Sequence, residues 1–224
     1  MTISLVKGQR VNFEKGLTRL TIEIGWKINK DANPIYYLDA STFLLGRSGQ
    51  IENENDFVFY NSNKRIPVLN SNGDEFVIDG QTITRPVSED GSVLGPIADL
   101  ADKNNTEKGK DIVDVYLART SLKVQQILFT ASIYCLPSDI YNPLLAPRLK
   151  YNFGQVRDAY IQIKNAVNGE VICRYDLDED FSMDKGVEFG RLYRHGTEWK
   201  FQAVGEAHKD GLEPICRKYA SKFM

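Results

Sequence analysis

The sequence predicts an all-β fold: a two-sheet β-sandwich with a C-terminal helix and a long inserted loop region. Three observations predict it. Short β-rich runs recur along the chain and one alternates strictly between apolar and polar residues; turn-permitting residues stand between several of them; and helical spacing is confined to the C-terminus. With 224 residues, 42% of them hydrophobic, residues 1–224 are read as one domain with an extended core.

The alternating run comes first. Leu20, Ile22, Ile24 and Trp26 alternate with Thr21, Glu23 and Gly25, a period of two that buries one face of a strand and exposes the other. Phe57 to Tyr60, Val113 to Leu117, Ile127 to Tyr134, Tyr160 to Ile163, Val171 to Tyr175, Val187 to Tyr193 and Trp199 to Val204 supply further strands. Gly46 to Gly49 marks a reversal. Asn168-Gly169 predicts a hairpin between Ile161–Ile163 and Val171–Cys173, and His195-Gly196 predicts one between Glu188–Arg194 and Glu198–Val204. Leu212, Ile215, Tyr219 and Phe223 recur every three or four residues, so Gly211 to Phe223 reads as an amphipathic helix, with Pro214 in its first turn.

Between about 62 and 110 the rhythm breaks. Turn-rich polar pieces such as Asn70-Ser71-Asn72-Gly73-Asp74 and Ser88-Glu89-Asp90-Gly91-Ser92 predict an elaborated loop, with a small hairpin of Phe76–Ile78 and Thr82–Thr84 joined by Asp79-Gly80.

Composition excludes several functions. A formal net charge of −2 gives no electrostatic footprint for nucleic acid. Cys135, Cys173 and Cys216 are far apart, without a Cys-x-x-Cys pair, which speaks against a zinc knuckle or a disulfide framework and for a reducing cytoplasm. No leader-like segment opens the chain and no stretch approaches eighteen apolar residues, so neither export nor a membrane span is expected.

Catalytic motifs are not found. His195 and His208 lack metal-ligand spacing, and His195 reads as a turn residue beside Gly196. Gly46-Arg47-Ser48-Gly49 is no nucleophile elbow, and Gly109-Lys110-Asp111 is no phosphate-binding loop. Asp176, Asp178 and Asp180 imitate the opening of an EF-hand, but Phe181 and Val187 occupy the positions that need glycine and the bidentate glutamate. As an isolated cluster they read as a solvated loop. Arg191, Arg194 and Lys200 read as a solvated face of the last hairpin.

Specific residues carry a resemblance. Asn152-Phe153-Gly154-Gln155-Val156, Tyr175-Asp176-Leu177, the run from Phe189-Gly190-Arg191 through Trp199-Lys200-Phe201 to Gly205, Leu38-Asp39-Ala40-Ser41 and Asp56-Phe57-Val58-Phe59-Tyr60-Asn61 resemble the TerD family of bacterial tellurium-resistance and stress proteins. The resemblance is poorest between 62 and 110, where family members are shorter. It implies a β-sandwich that binds calcium through loop acids: a Trp-Asp pair, an Asp-Leu-Asp, an Asp-Phe segment with a following Asn, and a Gly-Asp-Asp-Glu cluster. Here these read Trp26-Lys27, Tyr37-Leu38-Asp39, Asp56 with Asn61, and Lys108-Gly109-Lys110-Asp111.

Each lost carboxylate removes a ligand and a negative charge, the two quantities that tune calcium affinity. What the resemblance implies is therefore one weakened calcium site drawn from Asp39, Asp56, Asn61 and Asp111, with Asp176 or Asp178. The competing reading makes Asp39 and Asp56 hydrogen-bonding loop anchors. For function, the resemblance implies a non-enzymatic tellurium-resistance or stress-response protein acting through calcium or through contacts with other stress-response or tellurium-resistance proteins. The alternative is a small-molecule or cyclic-nucleotide-binding module, for which a basic and aromatic pocket would be the sign.

Overall fold

In the computed structural model of the chain, residues 2–27, 38–97, 108–133, 151–178 and 181–224 are described. The strands are β1 (Ile3–Leu5), β2 (Arg10–Asn12), β3 (Arg19–Lys27), β4 (Leu38–Leu45), β5 (Phe57–Val58), β6 (Arg65–Pro67), β7 (Val77–Ile78), β8 (Gln81–Thr82), β9 (Thr84–Pro86), β10 (Val93–Leu94), β11 (Lys108–Tyr116), β12 (Gln126–Ile133), β13 (Arg157–Asn165), β14 (Val171–Asp176), β15 (Gly186–His195) and β16 (Glu198–His208); helix α1 is Leu212–Tyr219.

Two six-stranded sheets carry the fold, in the orders β1-β14-β13-β3-β11-β10 and β2-β16-β15-β12-β4-β5. Strand β1 runs parallel to β14, whereas the pairs on both sides of β3 and of β12 are antiparallel. The inner faces meet in one core: Ile22 and Ile24 of β3, Val113 and Val115 of β11 and Ile161 of β13 join Phe129 of β12, Phe189 of β15 and Phe201 of β16. This is the expected sandwich. Both expected hairpins are formed, and Gly169 (φ +75°) and Gly196 (φ +64°) supply the left-handed backbone their turns need.

A second cluster lies on the outer face of the second sheet. Phe43, Leu45, Ile51 and Leu128 are covered by Ile215, Cys216 and Ala220 from α1 and the residue after it. The helix is shorter than its apolar spacing suggests: it ends at Tyr219, a 3-10 turn follows over Ser221–Phe223, and Phe223 is exposed.

Three departures from the sequence reading have clear causes. Alternation places Glu23 outward, and it is outward, yet only 8% exposed. Tyr160 lies across Gly25, whose missing side chain leaves the room, and donates a hydrogen bond to Glu23. Strand β4 carries no alternation because both its faces are covered, the inner by the core and the outer by α1. The stretch from 65 to 94 is more regular than a loop. It forms the ladder β6–β9 with the hairpin β7–β8 nested inside, and β10 then adds an edge strand to β11. Tyr134, Cys135 and residues 98–107 of the inserted region lie outside the described residues.

Candidate functional site

The acids proposed from sequence separate into three places. Asp39 and Asp111 are brought to the same end of the sandwich, where Asp111 Oδ2 accepts the backbone N–H of Ala40 at 2.7 Å, across from the first sheet to the second. Burial pushes the Asp39 carboxyl up to about 6.

Asp56 lies toward the other end of β4. Its cavity is lined by Leu44, five residues and so about 16 Å along the strand from Asp39. Asn61 is exposed in the turn after β5. Asp176 is on β14, whose partner chain of strands puts it three strands, about 14 Å, from Asp111. It is held by Arg174, with nitrogen-to-oxygen distances of 2.6, 2.9 and 3.1 Å. Asp178 is exposed beyond the end of β14, and Asp180 lies outside the described residues. One ion cannot touch all six, because the fold places them in separate groups.

Asp56 is the best-developed of these positions. Asn53 begins a 3-10 turn over Glu54–Asp56 by accepting the Asn55 N–H on its side chain at 2.9 Å, and the turn carries Asp56 inward just before β5 pairs with β4. Gly46 starts the preceding turn with no side chain because Glu52 lies against it; a methyl there would fall 2.3 Å from Glu52 Oε1. The segment Ser88–Ser92 brings Glu89 and Asp90 to the same cavity, whose volume is about 300 Å³. Four carboxylates thus line it, from Glu52, Asp56, Glu89 and Asp90, together with Lys123.

Their electrostatics differ. Asp56 is 8% exposed, and burial pushes its carboxyl up to about 6, helped by the charges of Asp90, Glu89 and Glu52 and opposed by the Glu89 backbone N–H. Burial also acts on Asp90, but hydrogen bonds from the Ser121 amide, from Ser92 and from the Ser88 hydroxyl outweigh it and hold the acid below its usual value. Hydrogen bonds from Lys64 and Asn55 lower Glu89. Asp56 is therefore the member that gains most from an added positive charge.

Sequence reading missed Glu52, Glu89 and Asp90. The signal lay in Ser88-Glu89-Asp90-Gly91-Ser92, whose serines and glycine build an acid-holding turn, but nothing local links that turn to Asp56. Arg194, expected on a solvated face, is half-buried: it donates to the carbonyls of Val124, Thr120 and Ser121 and stacks on Trp199. Arg191 is hydrogen-bonded to Gln202 and Gln126. No described helix is long and apolar enough to cross a membrane.

Comparison with known proteins gives consistent matches. The family model of the TerD domain matches residues 1–219. The chain is 34% identical over 223 residues to General stress protein 16U of Bacillus subtilis (strain 168), covering 98% of this chain and 97% of that one. It is 30% identical over 225 residues to Tellurium resistance protein TerD of Serratia marcescens, covering 98% and 97%. Among solved structures, a homologue of telluride resistance protein (TerD) from Streptomyces coelicolor A3(2) superposes with a TM-score of 0.54 over 92% of this chain and 98% of that chain, at 11% identity, a likeness of fold.

Proposed function

Because the chain belongs to the TerD domain family, we propose that it is a non-catalytic cytoplasmic component of a stress or tellurite response, and that it binds one divalent cation, calcium, weakly in the cleft around Asp56. The observation that carries this reading is the buried Asp56 carboxyl held at about 6 among three further acids. A cation placed there would stabilise the ionised form of Asp56, which burial first, and then the charges of Asp90, Glu89 and Glu52, disfavour.

The donor set fits calcium in kind, being made of oxygens, but it is thin. Asp90 is already engaged by three donors and Glu89 by Lys64 and Asn55, which leaves Asp56 and Glu52 as the main ligands. Affinity in the weak range of about 10⁻⁴ to 10⁻³ M follows. The cleft carries four acids and one lysine, and not the basic and aromatic lining that a nucleotide would want. When bound, the ion would supply charge neutralisation; the protein's own contribution is to tie Asn53–Asp56 to Ser88–Ser92. Action then runs through contacts with other stress-response or tellurium-resistance proteins.

The test is calorimetric titration of chelator-treated protein with calcium, using wild type, Asp56→Ala and Asp39→Ala. One weak site present in wild type and Asp39→Ala but lost in Asp56→Ala is expected. No heat in wild type, or loss only in Asp39→Ala, overturns the assignment. In cells lacking the protein, Asp56→Ala should restore tellurite or stress tolerance less well than wild type.

A further inference from the structure

A different cluster sits under the C-terminal helix. On the outer face of the second sheet Glu188 stands directly opposite Glu206, and His208 follows two residues along β16 on the same face. Like charges in direct cross-strand register repel unless a cation lies between them. Here the cation is part of the chain. Lys218, from the last turn of α1, places its ammonium 3.1 Å from Glu188 Oε1 and 2.9 Å from Glu206 Oε1. His208 Nε2 lies 2.9 Å from the same Glu188 oxygen, and Tyr219 donates to the other Glu188 oxygen at 2.9 Å.

Glu188 is 2% exposed, and its two oxygens accept hydrogen bonds from Lys218 and Tyr219 and lie against His208 Nε2. One ligand atom each from Glu188, Glu206 and His208 lie within 4.8 Å of one another. Two carboxylate oxygens and an imidazole nitrogen around one point are the donor set of zinc and similar transition metals rather than of calcium. Three protein ligands and a solvent-facing side leave room for water as the fourth.

We infer that Glu188, Glu206 and His208 form a zinc-class metal site that Lys218 occupies in the metal-free protein. Zinc entry displaces the Lys218 ammonium, a side chain already 40% exposed, into solvent. His208 then ligates through Nε2 as the neutral imidazole, its proton moving to Nδ1 or leaving to solvent. The Tyr219 hydroxyl keeps its hold on the second Glu188 oxygen, so α1 loses one of its two ties to this site. This site is separate from the Asp56 cleft and does not depend on it.

The test uses zinc alone as probe, by competition against a chromophoric chelator, on wild type, Lys218→Met and Lys218→Met/His208→Gln. Expected are one zinc per chain, at least tenfold tighter binding in Lys218→Met, and a loss of at least tenfold when His208→Gln is added. A tenfold excess of calcium should leave zinc binding unchanged. A Lys218→Met protein that takes up no zinc, or whose binding ignores His208→Gln, overturns the inference. Should Lys218→Met fail to fold, cobalt titration of the wild type decides: d–d absorption of a four- or five-coordinate ion that His208→Gln abolishes supports the site, and its absence in wild type sinks it.

Discussion

The Arg85 guanidinium lies 2.8 Å from the Asp114 carboxylate, with both side chains nearly buried. Arg85 also donates to the carbonyls of Gly95, Leu94 and Ile112, so one residue of β9 fastens the inserted segment to β10 and β11. Arg85→Ala would leave Asp114 with the Thr21 hydroxyl at 3.2 Å and the Arg19 guanidinium at 3.9 Å and would remove the donor to the three carbonyls, so it should lower unfolding free energy by about 1–3 kcal/mol. Arg85→Lys should rescue little, because one ammonium cannot reproduce the fork. Denaturant unfolding checks both, and a loss below about 1 kcal/mol for Arg85→Ala would contradict the role.

Asp56 makes a cost visible at neutral pH. Its folded value of about 6 lies above the ordinary aspartate value of 3.8, so the neutral acid is favoured on folding; that contribution is full below about 3.8 and is lost as pH rises through 6. In chelator at pH 7, Asp56→Asn is expected to be more stable than wild type by about 1–3 kcal/mol. The gap should shrink toward pH 4. Equal stability at both pH values would show that neither burial nor the surrounding acids raise Asp56.

Glu23 behaves in the opposite sense. Burial works to raise it, but hydrogen bonds from Lys164 and Tyr160, both at 2.6 Å, with the Lys164 and Lys110 charges, bring it below the ordinary glutamate value of 4.5. Its stabilisation is present above about 4.5 and lost as pH falls through the folded value. Glu23→Gln should cost about 1–3 kcal/mol at pH 7 and flatten the acid limb of a stability–pH curve. An unchanged acid limb would remove Glu23 from the account.

Gly190 tests the packing of the last hairpin. A methyl there would fall 2.3 Å from the Phe201 ring and 2.9 Å from the Gln202 carbonyl oxygen, and Phe201 is fully buried. Gly190→Ala should therefore lower the melting temperature by an amount matching about 1–3 kcal/mol. Phe201→Leu in the same background should recover part of it. Additive losses in the double variant would argue that the two positions do not compete for space.

Residues that repeat a local pattern were legible without the fold. The alternation of Leu20 to Trp26, the turns at Asn168-Gly169 and His195-Gly196, and the spacing of Leu212, Ile215 and Tyr219 determined the sandwich, its two hairpins and its closing helix, because a period of two or of 3.6 is a property of the chain itself. Asp39, Asp56 and Asp111 could be named from sequence, but their grouping could not. Only the tertiary structure set Asp111 against Ala40, gathered Glu52, Glu89 and Asp90 around Asp56, and placed Lys218 between Glu188 and Glu206. The reason is physical: a carboxylate's chemistry depends on burial and on charges a few ångströms away, and those neighbours come from strands and turns distant in the chain.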